Sequence, residues 1–183
     1  MGWLLFIFML IPLRALGYNP LSASCDERLV DILDEAANFD IIMLAGTGRR
    51  FQQGIENCRR ASFNVFSCGY ARSPLTNKSC GVLVAIGPRF QGAKVYEPTF
   101  AGGSITGRGI AVRFKNSIAD ITAISLYFPP VPWPAVQQVA YKETVKLMIA
   151  WLQQLLDNLP GGTLPIIYAD VNDGMGKKRL LAT

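Results

Sequence analysis

Apolar positions along this chain fall into short unbroken runs, two helical stripes and one long apolar lead at the N-terminus. Pro12 to Asn19 places Leu13, Ala15 and Leu16 ahead of the turn Tyr18-Asn19-Pro20, which predicts a short strand. Ser24 and Glu27 have capping-box spacing, and Leu29, Ile32, Leu33, Ala36 and Ala37 follow at helical intervals. Asp40-Ile41-Ile42-Met43-Leu44-Ala45 then reads as a strand buried on both faces, so the opening is a predicted strand–helix–strand unit. Phe63 to Ser67, Gly81 to Ile86, Arg108 to Lys115 and Asp120 to Phe128 are further predicted strands, the last two joined by a turn at Asn116-Ser117. Pro129 to Pro134 cannot continue a sheet and predicts a rigid loop. Beyond it, Val136, Val139, Ala140, Leu147, Met148, Trp151, Leu152, Leu155, Leu156 and Leu159 are spaced as one face of a long helix. Pro160-Gly161-Gly162 ends that helix, and Leu164 to Tyr168 is a last apolar strand running into Ala169-Asp170-Val171-Asn172-Asp173-Gly174. No linker divides the pattern, so residues 12–183 are expected to form one α/β domain behind a hydrophobic extension at 1–11.

Composition sharpens this picture. At 183 residues, 50% hydrophobic and 17% charged, the chain can bury a core and is neither disordered nor low-complexity. Its net charge of +5 is compatible with a polyanionic partner. Arg49, Arg50, Arg59, Arg60 and Arg72 share one stretch and Lys177, Lys178 and Arg179 another; each is either a phosphate-contacting face or a solvated surface. The chain contains no histidine, which excludes serine–histidine and cysteine–histidine catalysis. Cys25, Cys58, Cys68 and Cys80 lack zinc-like spacing, and Cys68 and Cys80 beside apolar runs are expected to be reduced core thiols. Met1 to Ile11 is too short for a comfortable membrane span, but with Ala15-Leu16-Gly17 it could pass for a signal peptide. Export would give meaning to the sequon Asn77-Lys78-Ser79, yet cleavage after Gly17 would remove a predicted core strand. The glycine-rich stretch from Gly102 to Gly109 lacks the lysine of a phosphate loop and precedes a strand, so it reads as an ordinary loop.

Three polar sets stand where predicted strands end, the place where open α/β folds put their sites. They are Asn19, Tyr127, and Asp170 with Asn172. Residues two apart on a strand point the same way, so Asp170 and Asn172 could face one bound group, a hydrated cation or an attacking water. Each also has a plain structural reading: Asn19 before Pro20 shapes a turn, and Asp170 to Gly174 caps a loop.

The order of five segments adds to this. They are Leu13-Arg14-Ala15-Leu16-Gly17-Tyr18-Asn19, Phe39 to Thr47, Gly81 to Ile86, Ala123 to Pro130 with its Tyr-x-Pro, and Pro165-Ile166-Ile167-Tyr168-Ala169-Asp170-Val171-Asn172. In that order the chain resembles the endonuclease/exonuclease/phosphatase superfamily, and within it the endonuclease domains of non-LTR retrotransposons. The resemblance implies a four-layer α/β/β/α sandwich (DNase I-like) with its second half truncated. It implies Mg²⁺-dependent (or Mn²⁺-dependent) cleavage of a phosphate ester and nucleic acid as partner, DNA ahead of RNA; the setting stays open, intracellular or nuclear ahead of secretion or membrane tethering by residues 1–17. Asn19 would sit at metal and phosphate, Tyr127 would bond the phosphate, and Asp170 helped by Asn172 would orient or deprotonate water. Departures are substantial. Gly46 stands where the family has its metal-binding glutamate, and no carboxylate lies between Asp40 and Glu56. The late Ser-Asp-His element has no counterpart before Thr183, while Ala169 and Val171 replace a glycine and a phenylalanine. The expectation is therefore a degenerate enzyme with little or no turnover and an open edge on its second sheet. The alternatives are a non-catalytic nucleic-acid-binding module, or an exported protein led by residues 1–17.

Overall fold

The computed structural model describes residues 12–21, 23, 25–48, 56–60, 62–69, 80–131 and 137–172. The elements run β1 (Ala15–Tyr18), α1 (Asp26–Glu35), β2 (Ile41–Ala45), β3 (Glu56–Arg60), β4 (Phe63–Cys68), β5 (Val82–Ile86), β6 (Lys94–Val95), β7 (Thr99–Phe100), β8 (Gly109–Lys115), β9 (Asp120–Tyr127), α2 (Gln138–Asp157) and β10 (Leu164–Asp170). One sheet has the order β1-β2-β5-β4-β3 and draws only on the chain up to Ile86; the other has the order β10-β9-β8-β6, with β7 beside β8, and draws only on residues from Lys94 onward. β1 pairs parallel with β2 because α1 carries the chain back across the sheet, as a parallel connection requires.

Every residue of β2 and β5 is buried. The reason is the alternation of side chains across a strand. Ile41, Met43, Val82, Val84 and Ile86 point into the space between the sheets, where they meet Ile110, Val112, Phe114 and Ile121. Ile42, Leu44, Leu83 and Ala85 point the other way onto Leu29, Ile32 and Leu33 of α1. The second sheet repeats the plan with Ala111, Ile124 and Leu126 turned towards Met148 of α2. The result is the four-layer α/β/β/α sandwich. Ser125 ties its inner layers together by donating to the Leu44 carbonyl oxygen at 2.8 Å, and both partners lie inside the core.

Some expectations are corrected in detail, and that of Cys68 and Cys80 as core thiols holds. Cys25 sits at the N-cap of α1, with no side-chain bond, and Asp26 and Glu27 in the first turn complement the helix dipole; Ser24 of the expected capping box lies outside the described residues. α2 packs through its second half, where Trp151, Leu152, Leu155 and Leu156 surround the buried Met148, while Val139 is 76% exposed. Val136 lies outside the described residues, and the other nine predicted face positions do not form one buried stripe. β10 pairs with β9 along its whole length, and no described strand lies on its other edge. Cys68 and Cys80 are buried free thiols, and burial pushes both above the ordinary thiol pKa. The 1–11 extension, the sequon, Arg49, Arg50, Arg72, Trp133 and the 177–179 basic run lie outside the described residues, as does the side chain of Arg59. Arg60 pairs with Asp26 at 2.6 Å. Among the described residues no helix is long and apolar enough to cross a membrane.

Candidate functional site

The C-terminal ends of β1, β9 and β10 converge. β10 and β9 run parallel in a register that sets Asp170 beside Tyr127. β1 lies across from β10 in the facing sheet, and this approach depends on Gly17. A Cβ there would stand 2.3 Å from the ring of Tyr168, so only glycine lets the aromatic ring settle onto the strand. Burial first, and the Asp170 carboxylate second, push the Tyr168 phenol above its ordinary pKa.

Asn19 directs its amide by elimination. Its Oδ1 accepts the Leu21 N–H at 2.8 Å, an Asx-type turn that leaves Leu21 at φ 59. The amide nitrogen is thereby aimed the other way, where it donates to Asp170 Oδ2. The second carboxylate oxygen of Asp170 accepts the Asn172 N–H at 3.0 Å. Asn172 in turn donates from its side chain to the Phe128 carbonyl oxygen at 2.7 Å, and the Phe128 N–H donates to the Asp170 carbonyl at 2.9 Å. Three strand ends are thus knotted around one carboxylate.

The predicted site residues take different places in this knot. Asn19, Asp170 and Asn172 are joined by bonds. Strand periodicity does not extend to Asn172, because β10 ends at Asp170 and Asn172 takes a left-handed φ of 47. Its amide therefore braces Phe128 instead of standing beside the carboxylate. Tyr127 is 2% exposed and belongs to the core between the sheets. Gly46 follows β2 at φ 74, and a Cβ on it would come within 2.8 Å of Asn19 Oδ1, so position 46 faces the same knot. Glutamate there would need a left-handed backbone and a displaced Asn19.

Arg108 was not singled out as a site residue by its sequence context. Its guanidinium carbon lies 5.6 Å from the centre of the Tyr127 ring, Nη1 is 3.5 Å from the Tyr127 carbonyl oxygen, and its own carbonyl accepts the Tyr127 N–H at 2.8 Å. The signal for it is the β8–β9 hairpin. A register pairing Gly109 with Leu126 puts Arg108 opposite Tyr127.

These donors do not fit a divalent cation. Mg²⁺ demands near-octahedral oxygen ligation and carboxylate anchors. Here the knot holds one carboxylate, already accepting two N–H bonds, and the oxygen of Asn19 is engaged by Leu21. Among the described residues no three of His, Cys, Asp and Glu come together as a metal site.

The arrangement of layers is that of the DNase I-like fold, and solved structures share it. The AP endonuclease LMAP from Leishmania major aligns with a TM-score of 0.58 at 11% identity, over 86% of this chain and 54% of its own. The human Nocturnin catalytic domain with bound sulfate anion aligns at 0.53 and 16% identity, over 88% of this chain and 64% of its own. TDP2 of D. rerio complexed with a single-strand DNA product aligns at 0.51 and 12% identity, over 87% of this chain and 60% of its own. Identities this low establish the fold alone, and the chain spans between 54% and 64% of the length of these structures. No family model and no curated protein matches the sequence.

Proposed function

We propose that this chain is a DNA-binding relative of the phosphodiester-cleaving enzymes that share its fold, with little or no turnover of its own. The observation that carries this reading is the knot at Asp170. Hydrolysis of a phosphodiester needs its negative charge neutralised and a water aligned and deprotonated. Asp170 alone could accept the water's proton, but it is held as an acceptor between Asn19 and Asn172, and the surrounding donors do not fit the cation that would screen the phosphate from it. No histidine is present to protonate a leaving oxygen.

Binding asks less of the same groups. Arg108, stacked on the Tyr127 ring, brings a planar guanidinium suited to two phosphate oxygens. The net charge of +5 favours a polyanion at longer range. The fold neighbours support this reading, since one is complexed with single-strand DNA and another holds a sulfate anion.

Nicking of supercoiled plasmid with Mg²⁺ or Mn²⁺, run beside Asp170→Ala, tests the inactive half. The expected result is no cleavage above the control; metal-dependent nicking lost in Asp170→Ala overturns it. Anisotropy of a labelled DNA oligonucleotide tests the binding half. Affinity is expected to fall as salt rises and to drop further in Arg108→Gln, whereas salt-independent binding defeats the proposal.

A further inference from the structure

On the outer face of the second sheet, away from the Asp170 knot, lies a cavity of about 540 Å³, within the range of small-ligand pockets. Its floor is Ala111 and Thr122, beside the C-terminal end of α2. One wall is the end of that helix, with Trp151, Leu155 and Leu159; the other is Tyr96 with Arg113 stacked on its ring at 4.3 Å. Thr122 is 2% exposed, and its hydroxyl oxygen has no hydrogen-bond partner, an uncommon state for a buried polar group. Rotation of that side chain about χ1 would turn the hydroxyl towards whatever fills the slot.

Charge narrows the set of ligands that can enter. Arg113 donates two bonds to Asp120, at 2.9 and 2.7 Å, so its charge is already matched. Glu97 is exposed at the mouth, beside Tyr96, whose ring Lys94 also approaches at 4.8 Å. The other polar groups lining it are the Thr99 hydroxyl and the neutral amides of Gln154 and Asn158, the last donating to the Gln154 carbonyl oxygen at 2.7 Å. A pocket with flat aromatic and aliphatic walls, a neutral hydroxyl at its floor, and neutral amides with the Glu97 carboxylate at its mouth suits a flat ring without negative charge and with polar groups at both ends.

We propose that this cavity binds a nucleoside, the base lying between Trp151 and the Arg113–Tyr96 stack with its polar edge on Thr122, and the sugar at Gln154 and Asn158. It is separate from the Asp170 site: Thr122 lies five residues back from Tyr127 along β9, roughly 17 Å at the rise of a strand. The proposal does not rest on the function proposed above.

Calorimetric titration of the full chain with adenosine, guanosine, cytidine and uridine, each up to millimolar concentration, tests it. At least one nucleoside is expected to bind, and Thr122→Val to weaken it about fivefold, the worth of one neutral hydrogen bond. Gln154→Trp, a change at an exposed position that fills the mouth without disturbing the core, is expected to abolish binding. Asp170→Ala is expected to leave it intact. The proposal is overturned if no nucleoside binds, if Gln154→Trp binds as well as the parent, or if Asp170→Ala removes the binding.

Discussion

The two helical layers cover their sheets very differently. α1 has 10 residues and buries Leu29, Ile32 and Leu33 in full; α2 has 20 and fully buries only Met148. The sheets beneath explain this. Under α1 lie β2 and β5, central strands whose residues are buried from end to end. Under α2 lies a sheet with β10 at its edge, where Leu164 is 55% and Ile167 44% exposed, and a cavity opens beside the helix terminus. Stability is therefore concentrated in the first layer pair, and adaptable surface in the second. Helix length is a poor guide to which is which.

Core truncation should expose this contrast most strongly. Leu33→Ala is expected to lose about 2–5 kcal/mol in urea unfolding, as for other fully enclosed leucines, while Leu147→Ala on α2 should change stability by no more than about 0.5 kcal/mol. Equal losses would erase the distinction. Next comes the backbone at the knot. Gly46→Ala should cost about 1–2 kcal/mol by forcing a side chain into a left-handed residue that faces Asn19, measured by the same unfolding curves. Ser125→Ala, which removes the bond between the sheets, should cost about 1 kcal/mol and leave the unfolding transition cooperative.

The smallest effect is expected at the outer end of the second sheet. Arg113, and after it Lys115, hold the Asp120 carboxyl well below the usual carboxylate range. A native pKa below the unfolded one stabilises above the unfolded value of about 3.9 and is lost as pH falls beneath it. In thermal melts the advantage of the parent over Asp120→Asn should hold near neutrality and shrink below about pH 4. A constant difference across that range would detach the pair from stability.

The same contrast governs how much of the fold was legible in the sequence. β2, β5, β8 and β9 were readable because each is a run of apolar or β-branched residues enclosed by the fold. β3 was not, since Glu56-Asn57-Cys58-Arg59-Arg60 carries no strand rhythm and is extended only by pairing with β4. β6 and β7, at two residues each, are too short to register a period. α2 was overread because hydrophobic spacing reports which residues could be covered, not how far a sheet extends beneath them. At the candidate site, strand ends placed Asn19, Tyr127 and Asp170 in one neighbourhood. The departure of Asn172 from the strand, the burial of Tyr127 and the approach of Arg108 depend on turn geometry and cross-strand register, which local spacing does not encode.

The bond from Asn19 to Asp170 joins residues 151 positions apart, and that separation has a kinetic meaning. All strands of the first sheet are synthesised before any of the second, so on an emerging chain the first layer pair can form while β10 is still absent. Closing the knot therefore spans nearly the whole described chain and carries a large loop entropy. Asn19 waits in a finished half for its partner. Local opening of β10 would undo the knot while leaving the core around α1, which contains no β10 residue, in contact, so the knot reports on closure of the second sheet.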